Sequence, residues 1–153
     1  MFSEKLILLL IIAGTLISYY PALHAGYIWD DSLVTENPLL KSMNGLGKIW
    51  MDTTPLPGQD IRYWPLLYTV LWFEYHLWGI FPMGYHLINI LVHVLNIVLL
   101  WFILKHLKVP GSWIATALFA LHPVHVEAVA WIIELKGLLS TTFFLGSVLY
   151  YLA

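Results

Sequence analysis

The sequence predicts an all-α integral membrane protein with three to four transmembrane helices and one juxtamembrane helix. Of its 153 residues, 60% are hydrophobic and only 10% are charged, and its mean hydropathy is +0.79. Soluble domains carry about 25% charged residues. The eight Trp and nine Tyr residues are typical of a protein with much surface at lipid–water boundaries.

Composition also excludes several classes of function. The net charge of −2 provides no basic surface for nucleic acid, and no nucleic-acid-binding motif is present. The chain has no cysteine, which excludes a disulfide framework, a thiolate metal site and a thiol nucleophile.

Four apolar stretches are candidates for crossing a hydrocarbon core of about 30 Å. They cover residues 6–23, 85–104, 112–132 and 138–153. We interpret the first as an uncleaved anchor, because it is longer than a signal-peptide core and Leu23-His24-Ala25 is a poor cleavage site. The last stretch stops at Ala153 inside an apolar run, which we interpret as a truncation or an early stop.

Two segments are expected outside the lipid. Residues 24–63 are rich in Gly, Pro and charged residues, which predicts an extramembrane loop with one short helix near residues 39–51. We interpret residues 64–81 as an interfacial helix. Lys105 and Lys108 then lie on the same side as Lys5, as the positive-inside tendency requires. The N-terminus is then cytosolic and the loop faces outward.

The second span carries four polar residues on one face. They are His86, Asn89, His93 and Asn96, and their spacing of three, four and three places them in one helical sector. This pattern predicts a stripe that faces a helix bundle or a wet cavity. Asn96, the farthest from the loop, is expected to be a packing residue.

The third span contains a proline among polar residues. Pro123 should kink or restart the helix, and His122 could then cap the new turn. His122 and His125 are expected to lie near one another. Glu127 falls inside the apolar stretch and needs a partner, a proton or water access. A metal at His122 and His125, or haem between His93 and His122, stays open as an alternative.

The acids Asp30 and Asp31 follow the first span within a few residues. Carboxylates so close to lipid are the first candidates for chemistry. The structural alternative is a helix cap or a solvated loop.

Four motifs occur in a familiar order. They are Trp29-Asp30-Asp31, Arg62-Tyr63-Trp64-Pro65-Leu66, the run from Gly84 to His93, and the run from Ala117 to Trp131 that contains His-Pro-Val-His-Val-Glu-Ala-Val-Ala-Trp. In this order the chain resembles the N-terminal part of the transmembrane-and-TPR-repeat O-mannosyltransferase-like proteins and their bacterial relatives, which have the GT-C glycosyltransferase fold.

The resemblance implies transfer of a sugar from a polyprenyl-phosphate carrier to a hydroxyl acceptor, such as protein Ser or Thr, on the outer face of a bacterial inner membrane or an ER membrane. Asp30 or Asp31 would then be the catalytic base, because the acceptor hydroxyl must lose its proton as it attacks. Arg62, His122 and His125 would stabilise the phosphate leaving group. His86, Asn89 and Glu127 are expected on the same side of the membrane and complete the set of substrate-binding candidates.

The chain departs from the family pattern in two respects. Relatives typically have Glu-Arg-Lys-Asp after the third span, whereas this sequence has Glu134-Leu135-Lys136-Gly137. Relatives also have further spans and TPR repeats, so the 153 residues are expected to be incomplete and inactive alone. No cofactor is predicted, and a need for a divalent metal is left open. The alternatives are a non-enzymatic membrane assembly subunit and a haem- or metal-binding membrane protein.

Overall fold

The computed structural model describes residues 3–51 and 63–152, and the secondary structure of these two segments is helical. The helices are, in chain order, α1 (Glu4–Tyr19), α2 (Ser32–Glu36), α3 (Pro38–Lys41), α4 (Gly45–Met51), α5 (Pro65–Trp78), α6 (Pro82–His106), α7 (Ser112–Leu121), α8 (Val126–Ala130) and α9 (Leu135–Leu152). Short 3₁₀ segments occupy Tyr20–His24, Trp29–Asp31, Pro123–His125 and Ile132–Glu134.

Three helical segments are long and apolar enough to cross a membrane. They are Glu4–His24, Pro82–His106 and Ile132–Leu152. A fourth crossing is formed if α7 and the segment Pro123–Ala130, which meet at an angle of 44°, count as one bent span. The protein is therefore an integral membrane protein, and the predicted all-α fold with three to four spans is confirmed.

The bend in this fourth crossing lies where Pro123 predicted it. α7 ends at Leu121, and the next residue, His122, has an extended backbone. The Nδ1 of His122 accepts a hydrogen bond from the amide of Val124 at 3.2 Å and so caps the turn that restarts the helix. The predicted cap at His122 is therefore present.

The start of α6 differs from the sequence-based expectation. The second span was expected to cover residues 85–104, whereas α6 begins at Pro82 itself. Proline is well suited to the first helical position, because its missing N–H would have no partner there. Gly84 is then needed for packing, since an added Cβ would come within 2.3 Å of the Trp78 indole.

α6 is the central helix of the bundle and contacts α1, α7 and α9. With the bent span counted, the four crossings alternate in direction, so α6 and α9 run in the same direction. His24, Pro82 and Leu135 therefore lie at one end, which we call the loop end because the segment with α2–α4 is attached there. Most of the buried apolar side chains cluster at the loop end. At the opposite end, Lys105 forms an ion pair with Glu4.

Candidate functional site

The carboxylate of Asp31 is buried and fully engaged with the backbone. One oxygen accepts a hydrogen bond from the amide of Ile28 at 3.1 Å, and the other accepts one from the amide of Ile133 at 3.1 Å. The amide of Asp31 donates in turn to the carbonyl of Ile28 at 2.9 Å. Asp31 therefore closes its own turn and ties that turn to the segment before α9.

Burial raises the pKa of Asp31 above its ordinary value. The amides of Ile28 and Ile133 and the nearby His86 act in the opposite direction, because each stabilises the ionised carboxylate. Asp31 thus has the environment of a structural acid.

Asp30 lies on the same turn but has a different environment. Its side chain is exposed, whereas that of Asp31 has no exposed surface. Since successive residues of a tight turn point in different directions, the bonds made by Asp31 direct its neighbour toward the solvent side of the loop end. The structure thus separates two acids that the sequence could not distinguish.

The turn between α8 and α9 is held from two sides. The side-chain amide of Asn89 donates to the carbonyl of Trp131 at 2.9 Å and to that of Ile132 at 3.3 Å. Asp31 accepts from Ile133, the next residue. These bonds fix the position of Trp131 relative to the Asp30-Asp31 turn.

His86 lies behind Asp31 and is almost completely buried, with 1% of its surface exposed. Neither ring nitrogen makes a hydrogen bond within the described residues. The ring lies near the backbone of Ala25, Gly26 and Ala130 and interacts electrostatically with Asp31. His86 is therefore a member of the polar stripe that interacts directly with the charge of an acid.

The other end of the stripe has a structural role. His93 donates from Nε2 to the carbonyl of Ala120 at 3.2 Å, because a carbonyl can only accept. Asn96 donates to the carbonyl of Leu138 at 3.1 Å and accepts from the hydroxyl of Thr142 at 2.7 Å. These bonds join α6 to α7 and α9, as expected for Asn96.

Three of the remaining predicted residues, His122, His125 and Glu127, lie at and after the bend of the fourth crossing. His125 is half-buried, and its ring lies 5.6 Å from that of His93. His122 and Glu127 are exposed on the surface of the described chain, although Glu127 was expected inside an apolar stretch. Arg62 lies outside the described residues. Within residues 3–51 and 63–152, no group of three or more His, Cys, Asp or Glu side chains is placed to hold a metal ion.

Several functional candidates at the loop end were missed by the sequence analysis. The indole rings of Trp29 and Trp131 lie 5.0 Å apart at 79°. The ammonium of Lys136 lies 4.8 Å from the ring centre of Trp64 and 5.8 Å from that of Trp131. We call Trp29, Trp131, Lys136 and Trp64 the aromatic row.

Lys136 also pairs with Glu134 at 2.5 Å. The signals available in the sequence were that Trp29 directly precedes the two acids and that Trp131 ends the motif that runs from Ala117 to Trp131. Leu135, the residue after Glu134, is completely buried in the core.

Glu74 of α5 was also missed. It is 3% exposed, and neither carboxyl oxygen has a hydrogen-bond partner within the described residues. Burial raises the pKa of Glu74 to about 8. Its charge also helps to raise the pKa of Tyr27, after burial and Asp31.

An apolar cavity lies between the end of α1 and the bend of the fourth crossing. Its volume is about 420 Å³, and its lining includes Tyr19, Pro21, Leu121, Pro123 and Val126. The cavity therefore opens beside the His122–His125 segment.

Comparison with known proteins identifies relatives along nearly the whole chain. Protein O-mannosyl-transferase TMTC3 of Homo sapiens is 32% identical over 149 residues, which cover 93% of this chain and 16% of that protein. Tmtc3 of Drosophila melanogaster is 30% identical over 172 residues, covering 94% of this chain and 18% of that protein. Protein O-mannosyl-transferase tmtc2 of Xenopus laevis is 34% identical over 145 residues, covering 90% and 17%.

No family model matches the sequence, and no solved structure matches it. The chain spans about a fifth of the length, or less, of the curated relatives that it matches. The chain therefore belongs to the TMTC family of protein O-mannosyl-transferases, in the region that it shares with them.

Proposed function

We propose that this chain supplies the membrane segment and the catalytic base of a protein O-mannosyl-transferase. A mannosyl group would pass from a polyprenyl-phosphate carrier to a hydroxyl group of an acceptor protein. In this proposal the 153 residues are part of one GT-C membrane domain with spans near residues 6–23, 85–104, 112–132 and 138–153, an outer loop 24–63 and an interfacial helix 64–81.

The observation that carries the proposal is the difference in environment between the two acids. Asp31 is buried and has both oxygens bonded to backbone amides. Asp30 is exposed on the turn that those bonds fix. A general base must reach the proton that it removes. A base held on a rigid turn is already oriented and loses little conformational freedom when it reacts. We therefore assign the base to Asp30 and a positioning role to Asp31.

The reaction is a single displacement. The acceptor hydroxyl gives its proton to the carboxylate of Asp30 while its oxygen forms a bond to the anomeric carbon. The bond from that carbon to the phosphate oxygen breaks, and the phosphate leaves with both electrons. Because no covalent glycosyl-enzyme forms, the configuration at the anomeric carbon is inverted.

The cavity near α1 supports a lipid carrier. Its lining is mainly apolar and suits an isoprenoid chain, and Pro123 in its wall lies between His122 and His125. These two histidines would stabilise the leaving phosphate, together with Arg62. His86 and Asn89 would act from behind the acids, by holding Asp31 and the Trp131 turn.

The loop end would face the periplasm or the lumen of the ER. Lys5, Lys105 and Lys108 belong to the opposite end of the bundle, where the positive-inside tendency places the cytosol. The N-terminus would then be cytosolic.

The test is mannosyl transfer by the natural protein in nanodiscs, from mannosyl phosphoryl polyprenol to a Ser- and Thr-containing peptide. Asp30→Asn should lower kcat by about 10²–10⁴-fold while the unfolding temperature stays unchanged. Glu36→Gln is the matched control, since Glu36 is an exposed acid on the same loop. Transfer retained by Asp30→Asn, Asp31→Asn and the double variant would sink the assignment and favour an assembly subunit without catalytic activity.

A further inference from the structure

Trp29 has a strained backbone and an exposed side chain. Its φ is +45°, and 75% of its surface is exposed. A positive φ is rare for a bulky residue, and backbone strain of this kind concentrates at functional sites. Burial of the indole in the core therefore cannot be the reason for the strain.

The described residues contain one other non-glycine with positive φ, and it has an ordinary explanation. Lys108, with φ of +53°, follows the end of α6. Its amide donates to Lys105 at 3.1 Å, and the amide of Val109 donates to Leu104 at 3.0 Å. This is the Schellman pattern, in which a left-handed residue ends a helix. Trp29 instead follows the extended Ile28 and begins a helical segment, so no such cap accounts for it.

The surroundings hold Trp29 in this conformation. The carboxylate of Asp31 accepts hydrogen bonds from the amides of Ile28 and Ile133, and the amide of Asp31 donates to the carbonyl of Ile28. The indole is thereby presented at the loop end, next in sequence to Asp30. A residue kept in a strained and exposed position beside a catalytic base is positioned for contact with a ligand.

The aromatic row has the chemistry of a carbohydrate site. Trp29 and Trp131 meet at 79°, so they form a corner and not a stack. The Lys136–Glu134 pair lies next to this corner, with the ammonium 5.8 Å from the Trp131 ring. A pyranose ring has an apolar C–H face that suits an indole and a hydroxyl edge that suits charged donors and acceptors.

We propose that Trp29 and Trp131 bind the C–H face of a pyranose ring, with Lys136 and Glu134 at its hydroxyl edge. This proposal rests on the proposed function, which brings a sugar to Asp30. The competing occupant is a lipid headgroup, since Trp is common at membrane interfaces. A headgroup contact requires no particular backbone conformation, whereas orientation of a reacting sugar does, and the strained turn therefore favours the sugar.

Binding of methyl α-D-mannopyranoside tests the proposal without turnover. The 153-residue chain and its variants are placed in phosphatidylcholine nanodiscs, and binding is measured by saturation-transfer NMR. Trp29→Asn should weaken binding at least tenfold while the unfolding temperature stays the same or rises, because Asn tolerates the left-handed backbone. Trp29→Phe should retain part of the binding. Trp113→Asn, which removes a 51% exposed indole from α7, should bind as the unaltered chain does.

Two results of the binding experiment would overturn the proposal. One is equal probe binding by the unaltered chain and Trp29→Asn, including the case in which neither binds. The other is a fall in the unfolding temperature of Trp29→Asn, which would make Trp29 a structural residue. Because the probe undergoes no reaction, binding can be lost or kept independently of whether Asp30→Asn abolishes transfer.

Transfer kinetics of the natural protein then identify which sugar is bound. A rise of about tenfold in the donor KM of Trp29→Phe, with little change in kcat, places the transferred sugar on the aromatic row. The same rise in the KM of a glycosylated acceptor peptide places an acceptor sugar there. If both constants are unchanged while brominated phosphatidylcholine quenches Trp29 fluorescence, the ring contacts lipid and the proposal is wrong.

Discussion

The two ends of the polar stripe on α6 differ in how completely their polar atoms are paired. Toward the opposite end, Asn96 bonds through both its nitrogen and its oxygen. Asn89, nearer the loop end, donates through its nitrogen, but its oxygen has no partner in the described segments 3–51 and 63–152. His86 has no hydrogen bond from either ring nitrogen within the described residues. All three side chains are buried, so they differ in the number of their hydrogen bonds and not in their exposure.

This difference separates polar residues with a structural role from polar residues that are candidates for function. A buried polar group with its partners inside the protein contributes to helix packing, and nothing more is needed to explain it. A buried polar group without a partner has a free-energy cost that a structural role does not justify. At the loop end such groups occur together: Glu74 and Trp78 also have polar atoms with no hydrogen-bond partner among the residues that the structure describes.

The largest effect is expected at Glu74. Its pKa of about 8 in the folded protein lies above the ordinary 4.5, so between these pH values the folded state holds a proton that the unfolded state has released. Stability should therefore fall as pH rises through this window, by about 1.4 kcal/mol per pH unit, and level off above about pH 8. Glu74→Gln should abolish that dependence and be the more stable protein at pH 9. Unfolding in detergent between pH 5 and 9 measures it.

Glu74→Asp is the control for this experiment, because it keeps a titrating carboxyl at the same place. It should retain the fall in stability with pH. An infrared carbonyl stretch of a protonated acid, present at pH 7 and lost in Glu74→Gln, gives an independent reading. A wild-type stability that is flat between pH 5 and 8 would contradict the buried carboxyl.

The second effect is expected at Asp31. Asp31→Ala leaves the amides of Ile28 and Ile133 without their acceptor, and the loss should be about 3 kcal/mol of unfolding free energy. Asp30→Ala, at an exposed position, should stay within about 0.5 kcal/mol. Hydrogen exchange at the amides of Ile28 and Ile133 reports the same contrast. Equal destabilisation by the two variants would remove the distinction between positioning residue and base.

The sequence predicted the fold class well because its signals were local. Span length follows from runs of apolar residues, and the bend at Pro123 follows from a missing amide and a steric clash. The cap at His122 was predicted for the same reason. The start of α6 at Pro82 was missed because proline both ends helices and begins them.

The site was predicted less completely because it depends on contacts between distant segments. Asp31 and Ile133 form a hydrogen bond although they are 102 positions apart in the sequence, and no local pattern predicts that bond. The same holds for Lys136 over Trp64 and for the burial of Glu74. The helical spacing did predict that His86, Asn89, His93 and Asn96 share a buried face, but it could not say which of them have partners.

The third effect is expected at the paired end of the stripe. Asn96→Leu should lower stability by about 1 kcal/mol, since hydrogen bonds between membrane helices contribute about 0.6–2 kcal/mol. A double-mutant cycle with Thr142→Val isolates the bond between the two side chains. Reversible unfolding in mixed micelles measures it. A coupling energy of zero would show that pairing at this end has no structural value, and the comparison along the stripe would fail.

The smallest effect is expected at Lys108, which provides the counterpart to Trp29. Both residues have a positive φ, but that of Lys108 belongs to a helix cap in which glycine is the usual residue. Lys108→Gly should therefore stabilise the protein by up to about 1 kcal/mol, because glycine adopts this backbone without a steric penalty. Lys105→Gly is the control, since it lies within α6 and should be destabilising by about 1 kcal/mol. If Lys108→Gly were destabilising as well, the left-handed backbone at Lys108 would carry no strain. A positive φ would then not distinguish Trp29 from an ordinary interfacial tryptophan.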